Sequence, residues 1–522
     1  MKTKIIFFTG GVYSSVGKGL TLASVGRIFK ELGFKVSVLK FDPYLNINSG
    51  NLSPEQHGEV YVTSDGHETD LDLGHYERFM NYKLTKQSCI TAGTIYKSLL
   101  EKQENDFSGD TIQVIPHVVN EINSSIYALL EKEKDYDFLF VEIGGTVGDI
   151  ESLPFLEAAH RFRREYGEDN VFFIHISPIF KLKLFGEFKT KATQHSLKQL
   201  ISHNIFPNLL ILRCDSVPQV DVRPKISVAA QMDPDNMVYS TDQESIYLIA
   251  EKLYEADVHS KILSYFRLSL PKKNLDDWKK LTSKILQPKK YKLKLALIGK
   301  YTLASDAYIS IIESFKIASY QLSVELTIDY ISSDEVDLEE LKEYGAICVP
   351  HGFGSRGTEG KIKVIEYCRV NKIPFLGICF GMQLACIEYM RNVLNYSDCN
   401  STEIDPDTKT PLFIPVSTKE MRLGSKKIKI IRNTYAYELF KEEIISERHR
   451  HKYYLNPEYI GVFKDTDFVL SAFSDDEEQI TEMIELRNHP FFVATQFHPE
   501  FETNLLDISP LFLNFLKAGV TK

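Results

Sequence analysis

Short apolar runs alternate with amphipathic stretches along nearly the whole chain. Lys4–Thr9, Lys35–Lys40, Asp137–Glu142, Val171–Ile176 and Asn208–Arg213 read as buried strands, and 20–32 and 118–130 between them carry apolar residues at helical spacing. This alternation predicts βα units around a parallel sheet. A Lys-rich polar segment, 271–291, interrupts the rhythm; it holds the only tryptophan, Trp278, and reads as a linker containing one amphipathic helix. The rhythm then restarts, with strands expected at 294–299, 324–330, 346–350 and 374–378. The expected division is an α/β domain over 1–268, a linker over 269–291 and a second α/β domain over 292–522. No internal repeat or low-complexity stretch interrupts it.

At 522 residues the chain is long enough for two large domains or three ordinary ones. Hydrophobic residues at 43% and charged residues at 25% fit a soluble globular protein. The net charge of −10 argues against a surface built for nucleic acid, while leaving room for a local basic pocket for phosphates. Seven scattered cysteines without a CxxC pair indicate neither a disulfide framework nor a zinc knuckle. No apolar run approaches 18 residues, and the one at the start is too short for a signal peptide, so a cytoplasmic protein with reduced thiols and no membrane partner is expected.

The first strand runs into Thr9-Gly-Gly-Val-Tyr-Ser-Ser-Val-Gly-Lys-Gly-Leu-Thr21 and then a helix. Glycines let the backbone turn its N–H groups to a phosphate, and Lys18 adds positive charge at a helix N-terminus. Five residues separate Gly11 from Gly17, and Gly19 replaces the usual hydroxyl residue, so a plain strand–helix turn remains the alternative. Leu139-Phe-Val-Glu142 ends a strand in an acid, where a magnesium-holding carboxylate belongs. The stretch 57–77 is dense in His, Asp and Glu; its carboxylates and lack of an HExxH pair suit Mg²⁺ better than zinc, with a solvated acidic loop as the bland reading. Lys189-Thr-Lys-Ala-Thr-Gln194, with Lys225 beyond it, suits a second triphosphate, and no aromatic platform for oligonucleotide stacking accompanies it.

In the second half a strand delivers Cys379 into Phe380-Gly-Met-Gln383 and a helix. Gly377-Ile-Cys-Phe-Gly381 is the thiol form of a nucleophile elbow, and a helix N-terminus favours the thiolate. His498-Pro-Glu500 offers a base and its orienter, and Pro350-His-Gly-Phe-Gly354 offers backbone N–H groups for an oxyanion. A lone packed cysteine is the alternative that this combination makes improbable.

These motifs resemble a known family. The second half resembles class I glutamine amidotransferase domains, and the whole chain resembles the CTP synthase family. The stretches that carry the likeness are KFDPYLNINSGNLSPEQHGEVYVTSDGHETDLDLGHYERF, VEIGGTVGDIESLPFLEA, GEFKTKATQHS, LGICFGMQ, ERHRHKY and QFHPEF. The resemblance implies a phosphate-loop-type amidoligase domain followed by an amidotransferase domain, and an enzyme aminating UTP with ATP and glutamine. It implies ATP on Ser15, Val16, Gly17, Lys18, Gly19 and Leu20, with Lys40 and Asp72, and Mg²⁺ between Asp72 and Glu142. It places UTP or CTP on Ser14, Lys189, Thr190, Lys191, Ala192, Thr193, Gln194 and Lys225, with the CTP base at Asp149, Ile150 and Glu151. Cys379, His498 and Glu500 match a glutaminase triad. Glutamine falls to Gly352, Phe380, Gly381, Met382, Gln383 and Glu403, and the activator GTP to Arg422. The likeness also implies feedback by CTP, small-molecule partners only and a homotetramer.

Three departures stand against the pattern. His351 occupies a position where the family commonly has Gly, 470–474 lacks an arginine to grip the glutamine carboxylate, and the stretch from Glu403 to Met421 looks short. Another amidoligase acting on a carboxylate, an inactive filament-forming relative and a DNA-partitioning ATPase are the rival readings. The KTKATQ loop, the intact candidate residues, and the elbow with its HPE motif respectively argue against them.

Overall fold

The computed structural model describes residues 2–103, 109, 111–181, 186–301, 304–416 and 421–520. The chain forms two compact units, each discontinuous in sequence. The first comprises Met1–Ser49 and His75–Ile285; the second comprises Gly50–Gly74 and Leu286–Lys522.

In the first unit seven strands form one sheet: β1 (Lys4–Gly10), β2 (Val36–Asp42), β3 (Cys89–Thr91), β4 (Phe138–Ile143), β5 (Val171–Pro178), β6 (Leu209–Cys214) and β7 (Met237–Thr241). Their spatial order is β7-β6-β5-β1-β4-β2-β3, and every pairing is parallel. Near-continuous burial of β1, β2, β4 and β5 explains their unbroken apolar runs, because helices cover both faces of such a sheet. On one face Phe7, Phe41 and Val141 pack with Ile95, Ile122 and Leu156. On the other, Phe29 of the helix Lys18–Glu31 meets Phe138 and Phe140 edge-on.

The segment read as a linker is partly core. Its helix, Asp276–Leu286, buries Trp278 completely; the indole N–H donates to the Tyr247 carbonyl at 3.1 Å, and Arg27 lies over the ring. The polar residues that made the segment look like a linker occupy the exposed face of that helix.

The second unit is built on nine strands: β8 (Tyr291–Gly299), β9 (Val324–Ser332), β10 (Ala346–Val349), β11 (Phe375–Ile378), β12 (Arg422–Ile430), β13 (Ile444–His451), β14 (Phe468–Ser474), β15 (Thr481–Leu486) and β16 (Phe492–Thr495). They lie in the order β9-β8-β10-β11-β16-β15-β14-β12-β13. Pairing is parallel from β9 to β16 and antiparallel from β16 to β13. The expected βα rhythm therefore holds only for the first four strands. The helices Ile309–Leu322 and Pro510–Val520 cover one face, and Thr358–Asn371 and Phe380–Asn392 the other.

The segment 50–74 groups with this second unit, although it lies within the expected 1–268 domain in sequence. It carries a hairpin, Tyr61–Val62 with Glu68–Thr69. Arg448 pins it by donating to the Tyr61 hydroxyl and the Val62 carbonyl at 2.8 and 2.9 Å. Glu59 accepts from the Ser310 backbone N–H and hydroxyl.

Candidate active sites in the two units

In the first unit the candidate phosphate loop leaves β1 at its carboxyl end, where parallel α/β sheets bind ligands. Gly17 caps the following helix at φ 96°, a conformation that costs a residue with Cβ about 1–2 kcal/mol. Ser14 and Ser15 are exposed, Val16 and Gly19 are buried, and Leu20 is half-buried. Lys18 is mostly buried and its ammonium donates to the Gly145 carbonyl at 2.8 Å, while Val147 N–H donates to Gly10. The loop after β4, with Asp149, Ile150 and Glu151 exposed on it, thereby adjoins the phosphate loop.

The KTKATQ segment adjoins it too. Its helix, Lys191–Ser202, approaches so closely that a Cβ on Gly11 would stand 1.6 Å from Ser196 Oγ. Lys189 and Lys191 are exposed, while Thr190 and Thr193 are buried. Thr193 donates to the Pro178 carbonyl, Gln194 bonds the Thr190 hydroxyl, and Ala192 lies between them half-buried. Lys189 pairs with Glu187 at 2.6 Å, and that hydrogen bond and charge, with Lys225, hold the Glu187 carboxyl below its usual range. Lys189 and Lys225 thus face one another's surroundings although 35 residues separate them.

Glu142, buried near the end of β4, accepts from the Tyr76 hydroxyl, and its register partner on β2 is Lys40, itself buried and 3.3 Å from Asp42. Asp72, expected beside Glu142, opens the helix Asp72–Met80 but falls within the second unit. Two further residues stand here outside those motifs. His175 on β5 bridges Thr9 and Ser196 at 2.9 and 2.8 Å behind the loop; burial, then Lys18, push its pKa down to about 3, so it stays neutral. Arg213 lies 3.6 Å from a Cβ placed on Gly17 and ion-pairs Asp242 at 2.6 Å. Both arrive from strands whose sequences read only as core.

In the second unit Cys379 ends the turn from β11 into the helix Phe380–Asn392 at φ 54°, ψ −102°, a strained geometry costing about 1–3 kcal/mol. The flanking glycines make the turn possible: a Cβ on Gly381 would sit 2.0 Å from the Val349 carbonyl oxygen. The thiol donates to the Arg450 carbonyl and accepts from Gln496 Nε2, both at 3.6 Å. His498 Nδ1 lies 2.7 Å from Glu500 Oε1, and both residues are fully buried. Burial opposes a charged ring, but the negative charges of Glu500 and Cys379 outweigh it and raise the His498 pKa to about 10. A proton taken from the thiol therefore has a holder.

Two buried lysines brace the loop after β10. Lys361 Nζ donates to the Pro350 carbonyl at 3.2 Å, and Lys300 Nζ to those of Phe353 and Gly354. Burial first, then repulsion from Lys300, pushes Lys361 down to about 7; burial and Arg356 push Lys300 down to about 8. Gly354 N–H donates to Glu403 Oε1 at 3.0 Å, placing this carboxylate beside the loop; burial raises its pKa despite that bond. Of the expected glutamine contacts, Phe380, Gly381, Met382 and Gln383 are buried in the helix, the Gln383 amide bonding Gln496 and Tyr453, so they offer backbone rather than side chains.

An arginine outside 470–474 reaches the cleft beside this loop. A small cleft is lined by His351, Gly352, Phe353, Tyr301, His498 and Arg450. Arg450 is held there by Glu68 at 2.9 Å and the Gly50 carbonyl at 3.0 Å, with Phe353 under its guanidinium. Phe473, the position expected to carry the arginine, stands on β14 opposite Lys429 and Thr481. Strand alternation in Glu447-Arg-His-Arg-His451 explains the oversight. Arg448 and Arg450 point to the 50–74 segment, while His449 and His451 turn the other way, into a buried cluster with Glu482 and Arg422. There Glu482, despite burial, is pulled down to about 2 by His449 and Arg422. Arg422, expected to meet GTP, is buried against Glu482 and lies 3.5 Å from Asp476, so its partners are acids. Residues 417–420 of the short stretch before Met421 lie outside the described residues.

The comparisons agree with the motifs. A family model described as CTP synthase N-terminus matches residues 4–268, and one described as glutamine amidotransferase class-I matches 303–518. The chain is 45% identical to CTP synthase of Caldanaerobacter subterraneus subsp. tengcongensis, covering 99% of this chain and 98% of that one. It is 46% identical to the enzyme of Phytoplasma australiense, covering 100% and 97%. The solved glutaminase domain of Trypanosoma brucei CTPS, with bound acivicin, is 32% identical, covers 44% of this chain and 94% of that one, and superposes with a TM-score of 0.43.

Proposed function

Since the chain belongs to the CTP synthase family over its full length and is a glutamine-hydrolysing ligase that makes CTP from UTP, we propose how its residues divide that work. The O4 of UTP is a poor leaving group, so the γ-phosphoryl of ATP is transferred to it; ammonia then attacks C4 and phosphate departs. Lys18 and Lys40, with the backbone of the 14–20 loop, hold ATP and neutralise charge on the transferring group. Arg213 joins them from β6. UTP lies across Ser14, the 189–194 loop and Lys225, where exposed lysines converge beside the phosphate loop. The product CTP competes there, its base reaching the 149–151 loop, and inhibits. Buried Glu142, an oxygen donor on a strand end, suits a hard cation and would hold Mg²⁺, which when bound supplies charge neutralisation for phosphoryl transfer.

In the second unit the Cys379 thiol gives its proton to His498 and attacks the glutamine side-chain amide. His498, held by Glu500, passes the proton to the leaving ammonia, and water hydrolyses the thioester to glutamate. The 350–354 loop, braced by Lys300 and Lys361, stabilises the oxyanion. Arg450 holds the glutamine carboxylate and Glu403 its ammonium group. GTP activates this step. The His498–Glu500 pair beside a strained Cys379 is the observation that carries the reading.

We further propose a homotetramer, supported by exposed apolar residues of the first unit such as Leu45, Leu100, Val114 and Ile150. A cytoplasmic location is proposed with it; among the described residues no helix is long and apolar enough to cross a membrane.

The two nitrogen donors test the division. Cys379→Ala should abolish glutamine-dependent CTP formation and its stimulation by GTP, and leave ammonia-dependent formation largely intact, rising with pH at fixed total ammonium. A variant of unchanged stability that lost both activities would refute it.

A further inference from the structure

At one place in the second unit His351 Nδ1 and Glu500 Oε2 are buried polar atoms without a hydrogen-bond partner, beside the His498 Nδ1–Glu500 Oε1 bond. Interiors rarely leave such atoms unsatisfied, and a cluster of them marks a place where something binds. The His498 and Glu500 side chains are 2% and 0% exposed and that of His351 15%, so the group is reached from the cleft that His351 lines. His351 Nδ1 stands 3.9 Å from Glu500 Oε1, and the His351 and His498 ring centroids are 5.3 Å apart. One ligand atom from each of the three residues falls within 4.8 Å of the others. A tetrahedral zinc shell with bonds of about 2.1 Å has edges of roughly 3.4 Å, so one ion can take all three residues by replacing the 2.7 Å hydrogen bond between His498 Nδ1 and Glu500 Oε1.

From this geometry we propose that His351, His498 and Glu500 form a binding site for a borderline divalent cation, Zn²⁺, which blocks the second unit's chemistry when it is occupied. Two imidazoles and one carboxylate are the donor set of open zinc sites, and the hard cation used by the first unit prefers oxygen ligands. The fourth position faces the cleft and takes water. His351 decides the matter: without its ring, His498 and Glu500 offer two ligands already committed to each other. The binding rests on geometry alone. Its consequence, loss of glutamine-dependent synthesis with ammonia-dependent synthesis retained, rests on the role proposed for His498.

The test is a competition titration of the metal-free full-length protein against a fluorescent zinc chelator, repeated on His351→Gly, the more isosteric His351→Asn, and Cys379→Ser. One Zn²⁺ per chain is expected, weakened tenfold or more in both His351 variants and retained in Cys379→Ser, with Co²⁺ giving a tetrahedral spectrum free of a thiolate band. Thermal melts verify that each variant is folded. No stoichiometric binding would overturn the proposal. So would binding that both His351 variants keep, or that Cys379→Ser abolishes, since the Cys379–His498 pair would then suffice. A parallel assay at buffered free Zn²⁺ separates the two claims: zinc bound through His351 that left glutamine-dependent synthesis untouched would contradict the role of His498 and leave the metal site standing.

Discussion

Arg450 offers the sharpest test of the glutamine pocket. Its guanidinium is oriented by Glu68, the Gly50 carbonyl and the Phe353 ring, which leaves it aimed along the cleft beside His351 and Gly352. A charge-assisted contact to the substrate carboxylate is worth ~1.5–3 kcal/mol. Replacing Arg450 with Met should therefore lower kcat/KM for glutamine by ~10- to 150-fold, at 1.36 kcal/mol per decade. Ammonia-dependent synthesis should not change, because that nitrogen never passes through the cleft. The substitution also strands Glu68, whose side chain is only 12% exposed, and an uncompensated carboxylate there destabilises by up to ~3 kcal/mol. Adding Glu68→Gln should restore the melting temperature without restoring glutamine use. Steady-state kinetics with each nitrogen donor, beside thermal melts of both variants, resolve the two effects. An unchanged glutamine kcat/KM in the folded double variant would refute the reasoning, and so would glutamine use that returned with stability.

Lys18→Ala should lower both glutamine- and ammonia-dependent synthesis on the order of 10²-fold or more, measured as CTP formed; near-normal ammonia-dependent activity would exclude the phosphate loop from that role. The folded pKa of His498, about 10, lies above the ordinary histidine value of 6.5, so its charged ring stabilises the fold fully below pH 6.5 and loses that contribution as pH rises through 10. Melting temperatures across that window should fall more steeply for the unaltered protein than for His498→Gln; parallel curves would contradict the ion pair. Trp278→Ala should cost ~3–5 kcal/mol in denaturant unfolding of the first unit, whereas a solvated linker would lose almost nothing.

Legibility in the sequence followed burial. Strands β1, β2, β4, β5 and β6 are covered on both faces and so announce themselves as continuous apolar runs, while the edge strands β3 and β7 are short and carry Cys89, Thr91, Ser240 and Thr241. The antiparallel half of the second sheet escaped because β12 and β13 mix Lys, Glu, Arg and His with apolar residues. Motifs whose residues adjoin in sequence, Gly17-Lys18 and His498-Pro-Glu500, could be read directly. Arg450, Arg213 and His175 could not, because each reaches its site by strand register over long sequence separations. The helix expected within 271–291 is present, but the burial of Trp278 is not legible there, because a helix with one buried stripe and a lysine-rich outer face has a linker's composition.

The departure of 50–74 into the second unit has a consequence in time. Both flanks of this segment enter the first unit, yet its own partners, Ser310, Arg448, Arg450 and Phe501, come much later in the chain. During synthesis at ~5–20 residues per second, those partners follow on the order of 10–80 s behind it. For that interval Tyr61 and Val62, both buried in the finished protein, are held out on a loop whose base can already be closed by parallel strands. A nascent chain paused in the first unit is thus exposed to a protease or a chaperone at one place, 50–74, and pulse-labelled ribosome complexes cut there before residue 450 is made, and resistant afterwards, would record the closure.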